Sequence, residues 1–192
     1  MRRLLLSVCI LAGLSQVALA GAAEDAAFIA ERTVSSADYR GGQAELNRQI
    51  FRNIEAGLQR LGAEVVDPDR FIEELVGSWP TVFEAEFAQV LNAALTEKEL
   101  AELAEFYRSD EGRDYLETGE LLNPVAMLDV LRRAMAVRSG LEAALAPRLN
   151  EMFSPQRVAE ILEMPDVVRF ENEATRDDVV HALRNAQLPG AD

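Results

Sequence analysis

Apolar residues recur along this chain at steps of three and four, the period of a helix with one buried face. From Gln43 to Leu61 the stripe is Leu46, Ile50, Ile54, Leu58 and Leu61, widened by Phe51. Gly41-Gly42 is expected to break the chain before this helix and Gly62 after it. Asp67-Pro68 reads as an N-cap and first helical residue. The helix it opens buries Phe71, Ile72, Leu75 and Val76 and stops at Gly77-Ser78. Pro80 opens the next, with Phe83, Phe87, Val90, Leu91 and Ala94 on one face.

Thr96-Glu97-Lys98-Glu99 is a capping box, in which the Thr96 hydroxyl and the Glu99 carboxylate each accept the other residue's backbone N–H. Leu100, Leu103, Phe106 and Tyr107 form the apolar face behind it. Ser109 restarts the helix, with Asp110 and Glu111 where the dipole favours anions, and Tyr115 and Leu116 point inward. Asn123-Pro124 opens the longest stripe, through Leu128, Leu131, Met135, Leu141, Leu145, Leu149 and Met152. Its phase slips near Ser139-Gly140 and Pro147 lies inside it, which predicts a break or kink at one or both. Ser154-Pro155 caps a helix through Val158, Ile161 and Leu162 that Pro165 stops. Thr175-Arg176-Asp177-Asp178 is expected to cap a last one through Val179, Val180 and Leu183, with a frayed tail from Gln187. Val167 to Phe170 is β-prone and too isolated to make a sheet. The predicted fold class is all-α, a single compact bundle of six to eight amphipathic helices.

The N-terminus follows a different pattern. Arg2 and Arg3 precede an apolar run, Leu4 to Leu14, too short to span a bilayer, and Ala18-Leu19-Ala20 is a small-x-small cleavage site. This is a bacterial-type secretory leader over residues 1–20. It leaves one helical domain, 21–192, that begins with a polar, flexible Gly21-Ala22-Ala23-Glu24. Cys9, the only cysteine, lies inside the leader. Bulky Val8 precedes it, which argues against lipidation. The expected location is the periplasm, or the exterior where there is no outer membrane, with no transmembrane segment in the mature chain.

Charge narrows the partners. The chain carries −14, and loss of Arg2 and Arg3 with the leader takes it to −16. A polyanion without a basic stripe is repelled by nucleic acid and by anionic lipid. Arg132-Arg133 and Arg138 are its densest basic stretch, and acids flank them.

Leu95 to Leu122 reads LTEKELAELAEFYRSDEGRDYLETGELL. It resembles the core of the bacterial family called domain of unknown function 2059, whose members are exported helical proteins. Leu95, Thr96, Glu99, Leu100, Phe106, Tyr107, Ser109 and Gly112 carry the likeness. Asp110-Glu111 stand where many members have proline. The resemblance implies no activity, substrate or catalytic residue. Physically the motif reads as a helix–helix packing corner, with a corner that binds a peptide or ligand as the alternative. Thr96 and Glu99 cap it, and adjacent Phe106 and Tyr107 project about 100° apart toward two neighbours. Ser109 joins two helices without a loop, and Gly112 admits close approach.

Candidate chemistry is sparse. His181 has no nucleophile in a recognisable motif, there is no Cys/His cluster for zinc, and no phosphate loop. Asp67 with Asp69, and the Glu171, Glu173, Asp177, Asp178 group, lack the spacing of a calcium loop. Trp79 reads as core. No catalytic, cofactor or metal residue is assigned. The leading expectation is a non-enzymatic envelope protein that binds a protein or peptide partner. The alternative is a carrier for an apolar ligand, with a cavity lined by Phe83, Phe87, Leu91, Met127 and Met135. Third is a hydrolase built on two carboxylates.

Overall fold

The computed structural model describes residues 21–118 and 124–186, and over 124–136 the backbone path alone. The leader, Asn123 and the tail from Gln187 lie outside the described residues, as do the side chains of Met127, Leu128, Leu131 and Met135. Helix dominates. The elements in chain order are α1 (21–34), α2 (Ala37–Arg60), β1 (Ala63–Val65), α3 (Pro68–Val76), α4 (Trp79–Ala94) and α5 (Glu97–Arg108). They continue with α6 (Asp110–Thr118), α7 (Pro124–Met152), α8 (Pro155–Leu162), β2 (Val168–Phe170) and α9 (Glu173–Arg184). No helix of the described residues is long and apolar enough to cross a membrane.

The chain divides into two compact units, each made from two stretches. Among the described residues, the first joins 21–40 with 81–145 and the second joins 41–80 with 146–186. The first unit is held by Ala22, Ala26 and Ile29 of α1, Leu91 of α4, Leu100, Leu103 and Ala104 of α5, and Val137 of α7. Residues 21–24 are therefore helical rather than flexible. Alanine is the strongest helix former, and Ala22, Ala26, Ile29 and Ala30 fall on one face and are buried. In the second unit α8 packs against α9 and α3, burying Phe71, Leu75, Ala159, Ile161, Leu162 and Val180. Arg157 fastens α8 to α3 through the Glu74 carbonyl at 2.7 Å and its carboxylate at 3.2 Å.

Four further expectations are corrected. Gly41-Gly42 does not break the chain, because α2 runs through both. Packing on either side overrides their propensity: Tyr39 lies 5.0 Å from Phe83 before them and Phe51 lies 6.2 Å from Phe71 after them, ring to ring. Of the expected break or kink in α7, the break does not occur: the helix runs through both Ser139-Gly140 and Pro147. A proline inside a helix removes one backbone hydrogen bond and crowds the carbonyl four residues back, at a cost of about 3 kcal/mol, and α7 nevertheless continues past it to Met152. The last helix is capped by Asn172, whose side chain accepts the Ala174 N–H at 2.9 Å, and not by Thr175. Finally, the β-prone stretch does pair. β2 runs antiparallel to β1 with Glu64 opposite Arg169, and the ladder is extended by Val66 N–H to the Val167 carbonyl and Glu171 N–H to the Gly62 carbonyl. Gly62, at φ +71°, provides the left-handed turn that ends α2 and starts β1.

Candidate functional site

The corner between α5 and α6 is built as its residues require. The Thr96 backbone N–H donates to the Glu99 carboxylate at 2.8 Å, and the Glu99 N–H donates to the Thr96 hydroxyl at 3.4 Å. Ser109 serves both helices: its hydroxyl donates to the Phe106 carbonyl at 2.6 Å and accepts the Gly112 N–H at 3.1 Å. Gly112 is buried, and a Cβ there would lie 2.0 Å from the Phe106 carbonyl oxygen. Phe106 packs at 5.7 Å from Tyr107 and 6.2 Å from Tyr115, ring to ring. Burial pushes the Tyr107 phenol up, partly offset by a hydrogen bond with Thr33 of α1.

Arg108 completes the corner and is not legible in the motif. Its guanidinium stands 4.4 Å from the Phe28 ring centroid and donates to Asp25 at 2.8 Å, a stacked and paired contact to α1. Asp25, Phe28 and Arg32 share one helical face, and Arg32 also stands over that ring, at 5.3 Å. That spacing on α1 is the signal that reveals the partner of Arg108.

The six motif residues thus fall at the two ends of α5: Thr96 and Glu99 cap its N-terminus, and Phe106, Tyr107, Ser109 and Gly112 meet at its junction with α6. Elsewhere the marked residues separate. His181 is exposed on α9 beside the Asn185 amide. Trp79 is buried. Asp67 caps α3 by accepting the Arg70 N–H at 3.0 Å, and Asp177 is paired with Arg176 at 3.0 Å. Among the described residues no group of three His, Cys, Asp or Glu is placed to hold a metal.

Two open grooves belong to the second unit, and neither is lined by a motif residue or by Phe83, Phe87 or Leu91. The smaller, about 380 Å³, lies at the Gly62 end of the ladder beside Glu64, Arg169, Phe170 and Glu171. The larger, about 480 Å³, runs between α2 and α3. Ala44, Asn47, Arg48, Phe51 and Arg52 come from α2 and Pro68, Asp69 and Ile72 from α3. The α2 positions are spaced at three and four, so one helical face forms a wall. Phe51, Ile72 and Pro68 make the apolar floor. Arg48 and Arg52 stand on the wall with side chains 67% and 66% exposed, and a single carboxylate, Glu45, lies 2.7 Å from one and 3.6 Å from the other. These arginines read in sequence as an ordinary solvated face; only the packing of α3 against α2 turns that face into a groove wall.

The molecule is therefore a helical protein with a closed helix–helix corner in one unit and, in the other, an open groove with an apolar floor and two arginines on one wall. Residues 82–138, within the first unit, match the model of the family described as "Uncharacterized protein conserved in bacteria (DUF2059)". That is the family the stretch 95–122 resembles, and the matched segment extends beyond the motif on both sides. No curated protein and no solved structure matches the chain.

Proposed function

We propose that this is an exported envelope protein that binds a protein or peptide partner, without catalysis, in the groove between α2 and α3. The observation that carries the reading is the groove: an open trough of about 480 Å³ with an apolar floor and a rim of two exposed arginines. An open trough suits a segment of polypeptide, which keeps one side in solvent, better than a small apolar ligand that needs enclosure. Export rests on the leader, and intact-mass analysis of the exported chain should show a protein beginning at Gly21. Immobilised 21–192 should retain a protein from periplasmic extract. Ile72→Glu, which puts a charge on the floor, should release it. A retained set that is empty, or the same for wild type and Ile72→Glu, would remove the groove as the site.

A further inference from the structure

The groove's charge specifies its occupant. The chain as a whole carries −14, yet α2 holds four arginines, Arg40, Arg48, Arg52 and Arg60, against three acids, Asp38, Glu45 and Glu55. At the groove the cations are concentrated on one side: Arg48 and Arg52 share the single carboxylate of Glu45 on the α2 wall, at 2.7 Å and 3.6 Å, while Asp69 lines the α3 side. One carboxylate cannot saturate ten guanidinium N–H donors. The pair is exposed, so water screens it and it is easily exchanged. On the opposite wall Asp69 repels an acid.

We infer that the occupant is an acidic, amphipathic segment of a partner protein, whose carboxylates replace Glu45 at Arg48 and Arg52 while its apolar side chains cover Phe51 and Ile72. This rests on the groove reading above and adds the chemistry of the partner. Arg48 and Arg52 are one helical turn apart, about 6 Å along the axis, which matches two acids a turn apart on a facing helix. Asp69 turns the acidic side toward α2 and so sets the orientation. A narrow segment reaches the arginines without bringing a second polyanion against the rest of the surface, as an anionic membrane would. Glu45 is an internal competitor: it holds the two guanidiniums over the trough and must give way on binding.

The test uses a fluorescent amphipathic helical peptide with two glutamates a turn apart beside a leucine stripe, and its glutamine and lysine counterparts. Wild-type 21–192 should bind the glutamate peptide roughly tenfold more tightly than the glutamine one, and the lysine one least. Arg48→Gln with Arg52→Gln should erase that preference while leaving the urea midpoint in place, because both side chains are solvent-exposed. Glu45→Gln should tighten binding about two- to fivefold by removing the competitor. A groove-dependent protein retained from extract, with no preference for the glutamate peptide, would overturn this inference and leave the groove reading standing. Weaker binding in Glu45→Gln would overturn the competitor role. Anionic vesicles bound in place of the peptide, in an Arg48- and Arg52-dependent way, would assign the groove to a membrane instead. No groove-dependent retention at all would take both readings down.

Discussion

A methyl group at position 112 would lie 2.0 Å from the Phe106 carbonyl oxygen and 2.9 Å from the Tyr107 Cα. Both are backbone atoms, so no rotamer change relieves the clash. Gly112→Ala should therefore destabilise by about 1–3 kcal/mol, the scale of overpacking, read as a drop in urea midpoint. An unchanged midpoint would mean that α6 approaches the end of α5 less closely. Tyr39 tests a different residue-scale feature. Its hydroxyl is shielded with no hydrogen-bond partner, and burial pushes its pKa up to about 12 from 10.0. The sign follows from linkage. The unfolded phenol ionises first, so the contribution of Tyr39 is complete below about pH 10 and lost as pH rises toward 12. Tyr39→Phe should thus gain on wild type between those values, and a stability gap independent of pH would count against the shielded phenol. Of these residues, Gly112 is readable from its place in the motif, whereas the isolation of the Tyr39 hydroxyl depends on packing with Phe83, distant in sequence.

At the scale of single elements, what is local in sequence is also readable there. The Thr96 box, the Asp67-Pro68 and Ser154-Pro155 caps and the Gly62 stop each use residues within one turn of the helix end. Thr96→Ala should cost about 1 kcal/mol, measured by the same urea titration. If Thr96→Ala melts like wild type, the box contributes nothing in solution. Elements fixed by distant partners are not readable in this way. β2 alone is three residues, Val168-Arg169-Phe170; it becomes a strand because Ala63–Val65, far upstream, pairs with it. The Gly-Gly pair looks like a breaker and lies in helix, with a tertiary ring contact on either side of it. Asn172 rather than Thr175 caps α9 because the pairing of β2 with β1 ends the strand at Phe170 and places Asn172 at the turn into the helix. The groove was hidden for the same reason, as Phe51 and Ile72 read as two unrelated core positions.

For the molecule as a whole, the interleaving of the two units governs what can be separated. Boundaries at 40/41, 80/81 and 145/146 fall inside α2, α4 and α7. The stretch that matches the family, 82–138, lacks Ala22, Ala26 and Ile29, which are part of its core. Expressed alone, 82–138 should lack the cooperative thermal transition of 21–192, and adding back a peptide of 21–40 should restore helical signal in circular dichroism. A cooperative transition in 82–138 alone would show that α1 is dispensable. The same interleaving imposes a timetable on synthesis. A growing chain emerges N-terminus first, so α1 appears early and its partners in α4, α5 and α7 only later. The first unit can close when the chain has passed Leu145, while Gly41–Pro80, carrying Phe71 and Leu75 on α3, is still waiting for α8. During that interval a folded unit holds an apolar loop open at both ends. The late-made C-terminal segment is what covers it, so a chain truncated before α8 is left with that sticky loop and is a candidate for aggregation or chaperone capture rather than a harmless shorter protein.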